Sequence, residues 1–493
     1  MKLAFDNEKY LSLQSKKILE RVEKYEQKLY LEFGGKLFDD FHASRVLPGF
    51  KPDSKLKMLL SIKDKVEVVV VINALDIQNN KVRSDIGINY ESEVLRLIDA
   101  FRAADLYVGS VCINQYHSTP QVNNFISKLN NLGINTYLAY EIEGYPHNVS
   151  KIISEDGFGK NEYIQTTRPI VVMTAPGPGS GKMAMCMSQL YHENKRNIKA
   201  GYAKYETFPV WNLPLNHPVN LAYEAATADL NDVNMIDPYH LQQYNELTVN
   251  YNRDVETFPV VKAMLDAIYG ESPYKSPTEM GVNMVGFAIS DEEVAIDASK
   301  KEIIRRYLNS LLDYRNGKIK RETCDKIALL MQKLNISVNN RKCVSAALNK
   351  RDESNTVSMA IELNDGTIIR SKTSDLLSAP AALILNSLKY LAGINDDLLL
   401  ISPSIIEPIS AMKIGHLGNK NPRLHVDEVL IALAISARTN PLAELAMQKL
   451  PMLENCEAHS TVILASVDCE VLKKLKINLT CEPEVFAKKL YHK

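Results

Sequence analysis

The chain has 493 residues, of which 45% are hydrophobic and 24% are charged. These values are ordinary for a globular protein, and they exclude a disordered, collagen-like or disulfide-scaffold chain. Lysine and arginine number 58 against 59 aspartates and glutamates, which gives a formal net charge of −1. This balance gives no electrostatic ground for a nucleic-acid or anionic-membrane partner, and we expect neither.

The sequence shows no signal for export or membrane insertion. The longest apolar runs, at 68–72 and 429–435, are far shorter than the roughly 18 to 20 residues that span a bilayer. Asp6 and Glu8 precede any apolar stretch, which argues against a signal peptide. The seven cysteines are odd in number and scattered, as reduced thiols are. We therefore expect a cytoplasmic protein.

The first part of the chain alternates strands and helices. Residues 8–30 have helical periodicity, and the apolar runs after them predict strands at 66–72, 106–113, 135–140, 169–174, 199–205 and 285–289. Helices are predicted between them at 92–104, 121–132 and 182–191. This order predicts an α/β fold with a mostly parallel, doubly wound sheet of the P-loop or Rossmann-like kind.

The rest of the chain changes character. A capping box at 290–293 predicts a helix to about residue 314, and a second helix follows to about 334. Strands at 357–363 and 367–371 flank an Asp-Gly hairpin turn, and further elements are predicted at 379–392, 426–437, 461–466 and 470–475. We therefore predict an α/β domain over 1–290, a helical connector over 291–335 and a smaller α+β domain over 336–493.

The clearest chemical motif is a glycine-rich turn, Thr-Ala-Pro-Gly-Pro-Gly-Ser-Gly-Lys at 174–182, between a predicted strand and a predicted helix. A P-loop needs this context, because backbone N–H groups curl round the phosphate while the helix N-terminus and a lysine add positive potential. We predict that the loop binds a nucleotide such as ATP, or another phosphorylated small molecule, through Gly177, Gly179, Ser180, Gly181 and Lys182.

The match to the P-loop pattern G-x-x-x-x-G-K-[ST] fails at two positions. Pro176 replaces the first glycine, and Met183 replaces the Ser or Thr that ligates Mg²⁺. The motif therefore favours anion binding over metal-assisted phosphoryl transfer. A plain turn with a surface lysine is one alternative, and a dinucleotide loop is another, although its G-x-G-x-G spacing departs from G-x-G-x-x-G.

Polar residues follow the predicted strands, and in an open parallel sheet ligands bind at this edge. They are Asn73, Asp76, Asn114, Gln115, His117, Glu141, Glu143, Glu206 and Thr207. We assign Asn73, Asp76 and Asn114 to ligand binding and His117 to catalysis. The alternative is that these are ordinary polar loop residues.

The segment after the loop helix is polar and aromatic, as a lid or substrate-binding segment can be. Here Arg253 would stabilise phosphate charge and Asp254 or Glu256 would act as a base, with Lys182 as the phosphate-binding catalytic lysine. A carboxylate from 232–256 would hold Mg²⁺ in place of the missing Ser or Thr. The alternative is a solvated helical face. No protein metal site is assigned, because Cys456, His459, Cys469 and Cys481 lack paired zinc-knuckle spacing.

Several runs of the sequence resemble a bacterial family of uncharacterised proteins of about this length. The runs are 174–182, 190–193, 208–220, 231–238, 457–461 and 478–483. The resemblance covers nearly the whole chain. It implies an N-terminal α/β domain with a degenerate P-loop and a smaller C-terminal domain, and it brings no established activity. Some members carry the label ATP-dependent peptidase, but no protease motif is visible in this sequence.

Three functions are compatible with these patterns. The first is an enzyme that binds a nucleotide or phosphorylated small molecule, as a phosphotransferase or an NTP-dependent ligase. The second is a non-catalytic sensor of a phosphorylated metabolite, which Met183 favours because it removes a Mg²⁺ ligand. The third is a structural homo-oligomer, and a saturable ligand effect at the loop would count strongly against it.

Overall fold

The computed structural model describes residues 2–34, 37–38, 40–83 and 87–485. The chain divides into two compact units, of which one covers Lys2–Ile296 and the other begins at Asp297. The limits of 1–290, 291–335 and 336–493 remain a prediction. Among the helices in these described ranges, none is long and apolar enough to cross a membrane.

The first unit is built on a parallel sheet, as the alternation of strands and helices predicted. Its strands are β1 (Lys28–Phe33), β2 (Val66–Asn73), β3 (Val82–Arg83), β4 (Ile88–Asn89), β5 (Tyr107–Asn114), β6 (Asn135–Leu138), β7 (Ile170–Thr174), β8 (Ala200–Tyr205), β9 (Asn234–Ile236), β10 (Val249–Tyr251) and β11 (Gly281–Val282). Seven of these described strands form one sheet in the order β11-β8-β1-β7-β2-β5-β6. Every neighbouring pair in it is parallel.

The helices of this unit connect the strands. They are α1 (Asn7–Tyr25), α2 (Phe41–Val46), α3 (Ser54–Ser61), α4 (Ala74–Gln78), α5 (Tyr90–Ala103), α6 (Pro120–Asn131), α7 (Val149–Ile152), α8 (Lys182–Lys195), α9 (Pro218–Ala226), α10 (Pro238–Tyr244), α11 (Asn252–Tyr269) and α12 (Pro277–Met280). Helix α13 (Glu292–Arg315) crosses the division between the units.

The strand order reverses at the middle of the sheet, beside β7. From β2 the chain moves through β5 to β6 at one edge, returns to β7, and then continues through β8 to β11 at the other edge. Open α/β sheets bind ligands at such a switch point, beyond the carboxyl ends of the strands. Strands β2 and β7 are buried along their whole length, which explains their mostly apolar sequences.

The second unit is a mixed α+β structure, as predicted. The strands β12 (Ser358–Glu362), β13 (Ile368–Lys372), β14 (Glu457–Ser460) and β15 (Asn478–Cys481) are arranged in the order β13-β12-β14-β15. Strand β12 is antiparallel to β13 and β14, whereas β14 and β15 are parallel. Its further helices are α14 (Arg321–Lys333), α15 (Lys342–Ser354), α16 (Ala379–Ala392), α17 (Pro403–Gly415), α18 (Val426–Ser436), α19 (Pro441–Met447) and α20 (Ser466–Lys474).

The sequence-based assignment was wrong at three places. Strand β1 was missed, because its charged residues Lys28 and Glu32 are buried and the helical pattern before it continues to residue 30. The strand predicted at 285–289 is a short 3₁₀ turn at Val285–Ala288, and the edge strand is β11 instead. The strand predicted at 461–466 lies earlier, at β14.

Candidate functional site

The glycine-rich loop connects β7 to α8 at the switch point of the sheet. Gly179 and Gly181 have φ angles of 80° and 94°, in the left-handed region that favours glycine. The buried Ser180 donates a hydrogen bond from Oγ to the carbonyl of Gly177 at 3.0 Å. Gly181 is the N-cap of α8 and supplies no side-chain cap, so the first N–H groups of the helix are left for another acceptor.

Lys182 is the first residue of α8 and lies partly buried beside these N–H groups. In the described parts of the chain its ammonium group forms no hydrogen bond or ion pair. A cation at the start of a 14-residue helix adds to the positive end of the helix dipole. The loop and Lys182 together are therefore suited to hold an anion.

Two of the predicted ligand-binding residues brace the loop or the neighbouring helix. Asn114, at the end of β5, donates from Nδ2 to the carbonyl of Ser180 at 3.2 Å. Asn73, at the end of β2, caps α4 by accepting from the N–H of Leu75 at 2.8 Å, and donates to Gln115 at 2.7 Å. Both amides thus have protein partners, and they shape the edge at which the loop lies.

A charged pair that includes Asp76 lies next to the loop. Tyr90 packs so closely on Gly177 that a Cβ at that glycine would be 2.1 Å from its hydroxyl oxygen. Lys81 Nζ lies 4.8 Å from the centre of the Tyr90 ring and 3.1 Å from Asp76 Oδ1. Asp76 Oδ2 is buried and has no hydrogen-bond partner within the described ranges. The structure therefore adds a second cation, Lys81, to the neighbourhood of the loop.

Lys81 and Tyr90 were not identified from the sequence. The local sequence around them shows one feature, the helix N-cap Asn89, whose side chain accepts a hydrogen bond from the N–H of Ser92 at 2.9 Å. Such a cap predicts where α5 begins, but it does not predict a ligand-binding residue. His117, by contrast, was identified. Its ring nitrogens contact the carbonyl of Gln115 at 3.1 Å and Oε1 of Gln78 at 2.7 Å, so both are engaged within the protein.

The other two predicted catalytic residues lie in a second charged cluster, at the end of β8. Asp254, in the first turn of α11, forms a close ion pair with Lys204. Arg253 pairs with Asp232 at 2.9 Å and lies over the ring of Tyr251, with its cation 5.3 Å from the ring centre. Two strand positions separate β8 from β7, so the structure distributes the predicted site residues over two neighbouring parts of one sheet edge.

Burial and charge shift the ionisation of this second cluster. Burial disfavours the Lys204 ammonium, but Asp254 and the neighbouring acidic groups outweigh it, so the pKa of Lys204 lies well above its usual value. Burial also raises the pKa of Glu206 to about 7, although Lys204 opposes the shift. Lys204 Nζ lies 3.0 Å from Glu206 Oε1, so the two groups form an ion pair, but their relative orientation does not allow a hydrogen bond. Glu32, on β1, accepts a hydrogen bond from Tyr202 at 2.7 Å.

No cluster of three or more metal-ligating side chains occurs in the residues for which the structure gives positions. Asp232 and Asp254, two of the carboxylates in the segment 232–256 that was considered for Mg²⁺, are ion-paired. His459, from the zinc pattern considered in the sequence, contacts Thr480 at 2.8 Å and Glu482 at 3.1 Å through its two ring nitrogens. The chemistry that this edge offers is thus anion binding at the loop, beside paired acids and bases.

Comparison with known proteins identifies the family. The family described as "Domain of unknown function DUF1846, N-terminal" matches residues 3–335, and its C-terminal counterpart matches residues 339–491. A UPF0371 protein of Streptococcus thermophilus (strain CNRZ 1066) is 55% identical over 492 residues, which is 100% of both chains. One of Streptococcus pneumoniae (strain JJA) is 54% identical over the same length. The chain therefore belongs to the DUF1846 family, as its sequence motifs predicted.

Proposed function

We propose that this protein binds a nucleotide or another phosphorylated small molecule, with a phosphate group held by residues 177–182. The observation that carries the proposal is Lys182, which pairs with none of the described residues and lies at an uncapped helix N-terminus, next to two glycines with positive φ. Backbone N–H groups, the helix dipole and a lysine act together on phosphate in such loops. The position of the loop at the switch point of the sheet supports the same conclusion.

The reaction is a finer part of the proposal. A phosphotransferase or NTP-dependent ligase would need a carboxylate to hold Mg²⁺ or to transfer a proton. Asp76 is the candidate, because it pairs with Lys81, which lies over the ring of Tyr90, and Tyr90 packs on Gly177 of the loop. The second candidate is a sensor that binds without turnover. Met183 favours it, since the usual hydroxyl ligand for Mg²⁺ is missing from α8.

We further propose that the protein works in the cytoplasm, because its seven cysteines, all within the described ranges, are free thiols. Self-association into a homo-oligomer is compatible with any of these functions.

Product formation in the presence of ATP and Mg²⁺ distinguishes the enzyme from the sensor, since a sensor is stabilised by its ligand but releases no product.

The first prediction concerns Lys182. Purified protein is titrated calorimetrically with inorganic phosphate, ATP, GTP, NAD(P) and sugar phosphates, each with and without Mg²⁺. A ligand at 100 times its Kd stabilises the folded state by about 2.7 kcal/mol, so thermal unfolding provides a parallel readout. We expect Lys182→Ala to weaken phosphate binding at least tenfold, or about 1.4 kcal/mol.

The matched control is Lys195→Ala, at the opposite end of the same helix, where the lysine pairs with Glu155 on the surface. It should leave the affinity for phosphate unchanged. If Lys182→Ala binds every ligand of the panel as tightly as the wild-type protein, the loop is not the phosphate site.

A further inference from the structure

Glu206 and Trp211 carry buried polar atoms that the proposed phosphate site does not use. Glu206 is 5% exposed, and in the part of the chain that the structure describes neither its Oε2 atom nor the indole Nε1 of Trp211 has a hydrogen-bond partner. Both side chains pack on Gly281: a Cβ built there would be 2.8 Å from Glu206 Oε2 and 2.5 Å from Trp211 Cζ2. Two side chains that each carry an unpartnered polar atom, counted over the described residues, therefore pack against the same glycine.

A hydroxyl group is the partner that suits both atoms. An indole N–H only donates, whereas a carboxyl group such as Glu206, with a pKa raised to about 7, accepts when it is ionised and also donates when it is protonated. An ammonium group would pair with Glu206 and leave Trp211 unpaired, whereas a phosphate would pair with Trp211 and be repelled by the ionised form of Glu206. A hydroxyl group donates to the carboxylate and accepts from the indole, so it satisfies both.

The surroundings of Glu206 also disfavour a second anion. The charged side chains of this cluster are two cations and four carboxylates: Lys204, Arg253, Glu32, Glu206, Asp232 and Asp254. Aromatic rings lie beside them, since Tyr223 stacks on Phe208 with ring centres 5.5 Å apart, and Glu206 and Lys204 both influence the pKa of Tyr223. Apolar ring faces next to carboxylates and an indole N–H suit a polyhydroxylated molecule better than an anion.

The cluster lies within reach of the glycine-rich loop. Glu32 on β1 is in register with Met173 of β7 on one side and with Lys204 of β8 on the other. Glu206 therefore lies about level with the start of the loop, two strand spacings or about 10 Å away. Burial raises the pKa of the Cys186 thiol on α8. The charge of Glu32 raises this pKa further and the charge of Lys182 lowers it, so Glu32 and Lys182 both lie near Cys186.

We propose that Glu206 and Trp211 bind the hydroxyl groups of the ligand whose phosphate the loop holds, so that the ligand is a phosphorylated sugar or polyol. This inference rests on the proposed function, because it takes the phosphate position from the loop. A five- or six-carbon sugar phosphate has the size to extend from one group of residues to the other. Inorganic phosphate would contact the loop alone.

The test compares probes that carry a phosphate with and without a polyhydroxylated part. Inorganic phosphate, glucose 6-phosphate, ribose 5-phosphate and glycerol 3-phosphate are titrated calorimetrically into the wild-type protein and into Glu206→Gln and Trp211→Phe. We expect at least one sugar or polyol phosphate to bind at least tenfold more tightly than inorganic phosphate. Each variant should lose that preference, while its Kd for inorganic phosphate stays within twofold of the wild-type value.

The control variant is Glu271→Gln, which changes an exposed carboxylate paired with Lys275 and should keep the preference. If phosphorylated probes bind but no sugar or polyol phosphate is preferred over inorganic phosphate, this inference is wrong while the proposed function stands. The same holds if both variants keep the preference, because an ordered water then pairs with the two atoms. If no phosphorylated probe binds, the proposed function itself fails. Should Glu206→Gln not fold, Trp211→Phe decides the question, because it removes only the N–H donor and part of an aromatic ring.

Discussion

Gly181 holds the turn between β7 and α8 in a conformation that other residues adopt only with strain. Its φ is 94°, and a Cβ at this position would lie 2.0 Å from Nδ2 of Asn114, the amide that supports the loop. Glycine is therefore required at this position for two separate physical reasons, the backbone conformation and the close contact with Asn114. The close contact couples the loop to the end of β5.

The energetic contributions of the backbone conformation and of the close contact can be measured separately by alanine substitution. Gly133 has a φ of 69° and nothing within 4 Å of a Cβ, so Gly133→Ala should cost only the left-handed strain, about 1–2 kcal/mol of the unfolding free energy. Gly181→Ala should cost about 1–3 kcal/mol more, because its methyl group must displace Asn114. It should also weaken phosphate binding, whereas Gly133→Ala should not. Urea unfolding and calorimetry give the two quantities, and equal losses for the two variants would contradict the close contact.

Among the elements, those with a long apolar signal were predicted well, whereas the strand β1, which carries two buried charges, was missed. Strand β7 and helix α16 were predicted to within a residue, since one is a continuous apolar run and the other begins at a Ser-Ala-Pro cap. Strand β1 was missed because Lys28 is buried against Glu193 at 2.7 Å, an ion pair that the local sequence cannot show. Lys81 was missed as a neighbour of the loop for the same reason, since only the fold brings β2 and β7 together.

A buried arginine joins two strands of the second unit, and we predict that its loss is severe. Arg341 is 0% exposed, pairs with Glu457 at 2.7 Å, and donates to Thr480 and to the carbonyls of Ala458 and Asn478. Arg341→Met would leave the acceptors of β14 and β15 unpaired, and it should reduce the unfolding free energy by about 3–5 kcal/mol.

The control for Arg341 is Arg321→Met, which removes an exposed arginine paired with Asp325 and should change the unfolding free energy by about 0–1 kcal/mol. Chemical denaturation followed by circular dichroism measures both changes. Similar small losses for the two variants would mean that Arg341 does not anchor these strands.

At the scale of the whole molecule, the fold class and the place of the loop followed from periodicity, whereas the order of the strands did not. The sequence shows that strands and helices alternate, but the order β11-β8-β1-β7-β2-β5-β6 depends on which pairings bury most surface. This order decides that Asp254 pairs with Lys204 and Arg253 with Asp232, at the end of β8 rather than at the glycine-rich loop. Long-range pairing of this kind also sets how the stability of the molecule responds to pH, because the partners of its buried histidines come from distant segments.

Two histidines of the second unit should act on this response with opposite signs. A hydrogen bond to Asp468 raises the pKa of His425. The contribution of His425 to the free energy of unfolding is therefore present below about pH 6.5 and is lost as the pH rises through the raised pKa. Burial lowers the pKa of His459 despite its contact with Glu482, so its contribution is present above about pH 6.5 and is lost as the pH falls.

The measurement is amide hydrogen exchange of β14 and β15 between pH 5 and pH 8, corrected for the intrinsic exchange rate and converted to an opening free energy. The difference between the wild-type protein and His425→Gln should shrink from pH 6 to pH 8. The difference between the wild-type protein and His459→Gln should shrink from pH 7 to pH 5. If both differences change in the same direction, or neither changes, the ionisation of these histidines does not differ between the folded and unfolded chain in the way that their burial and partners require.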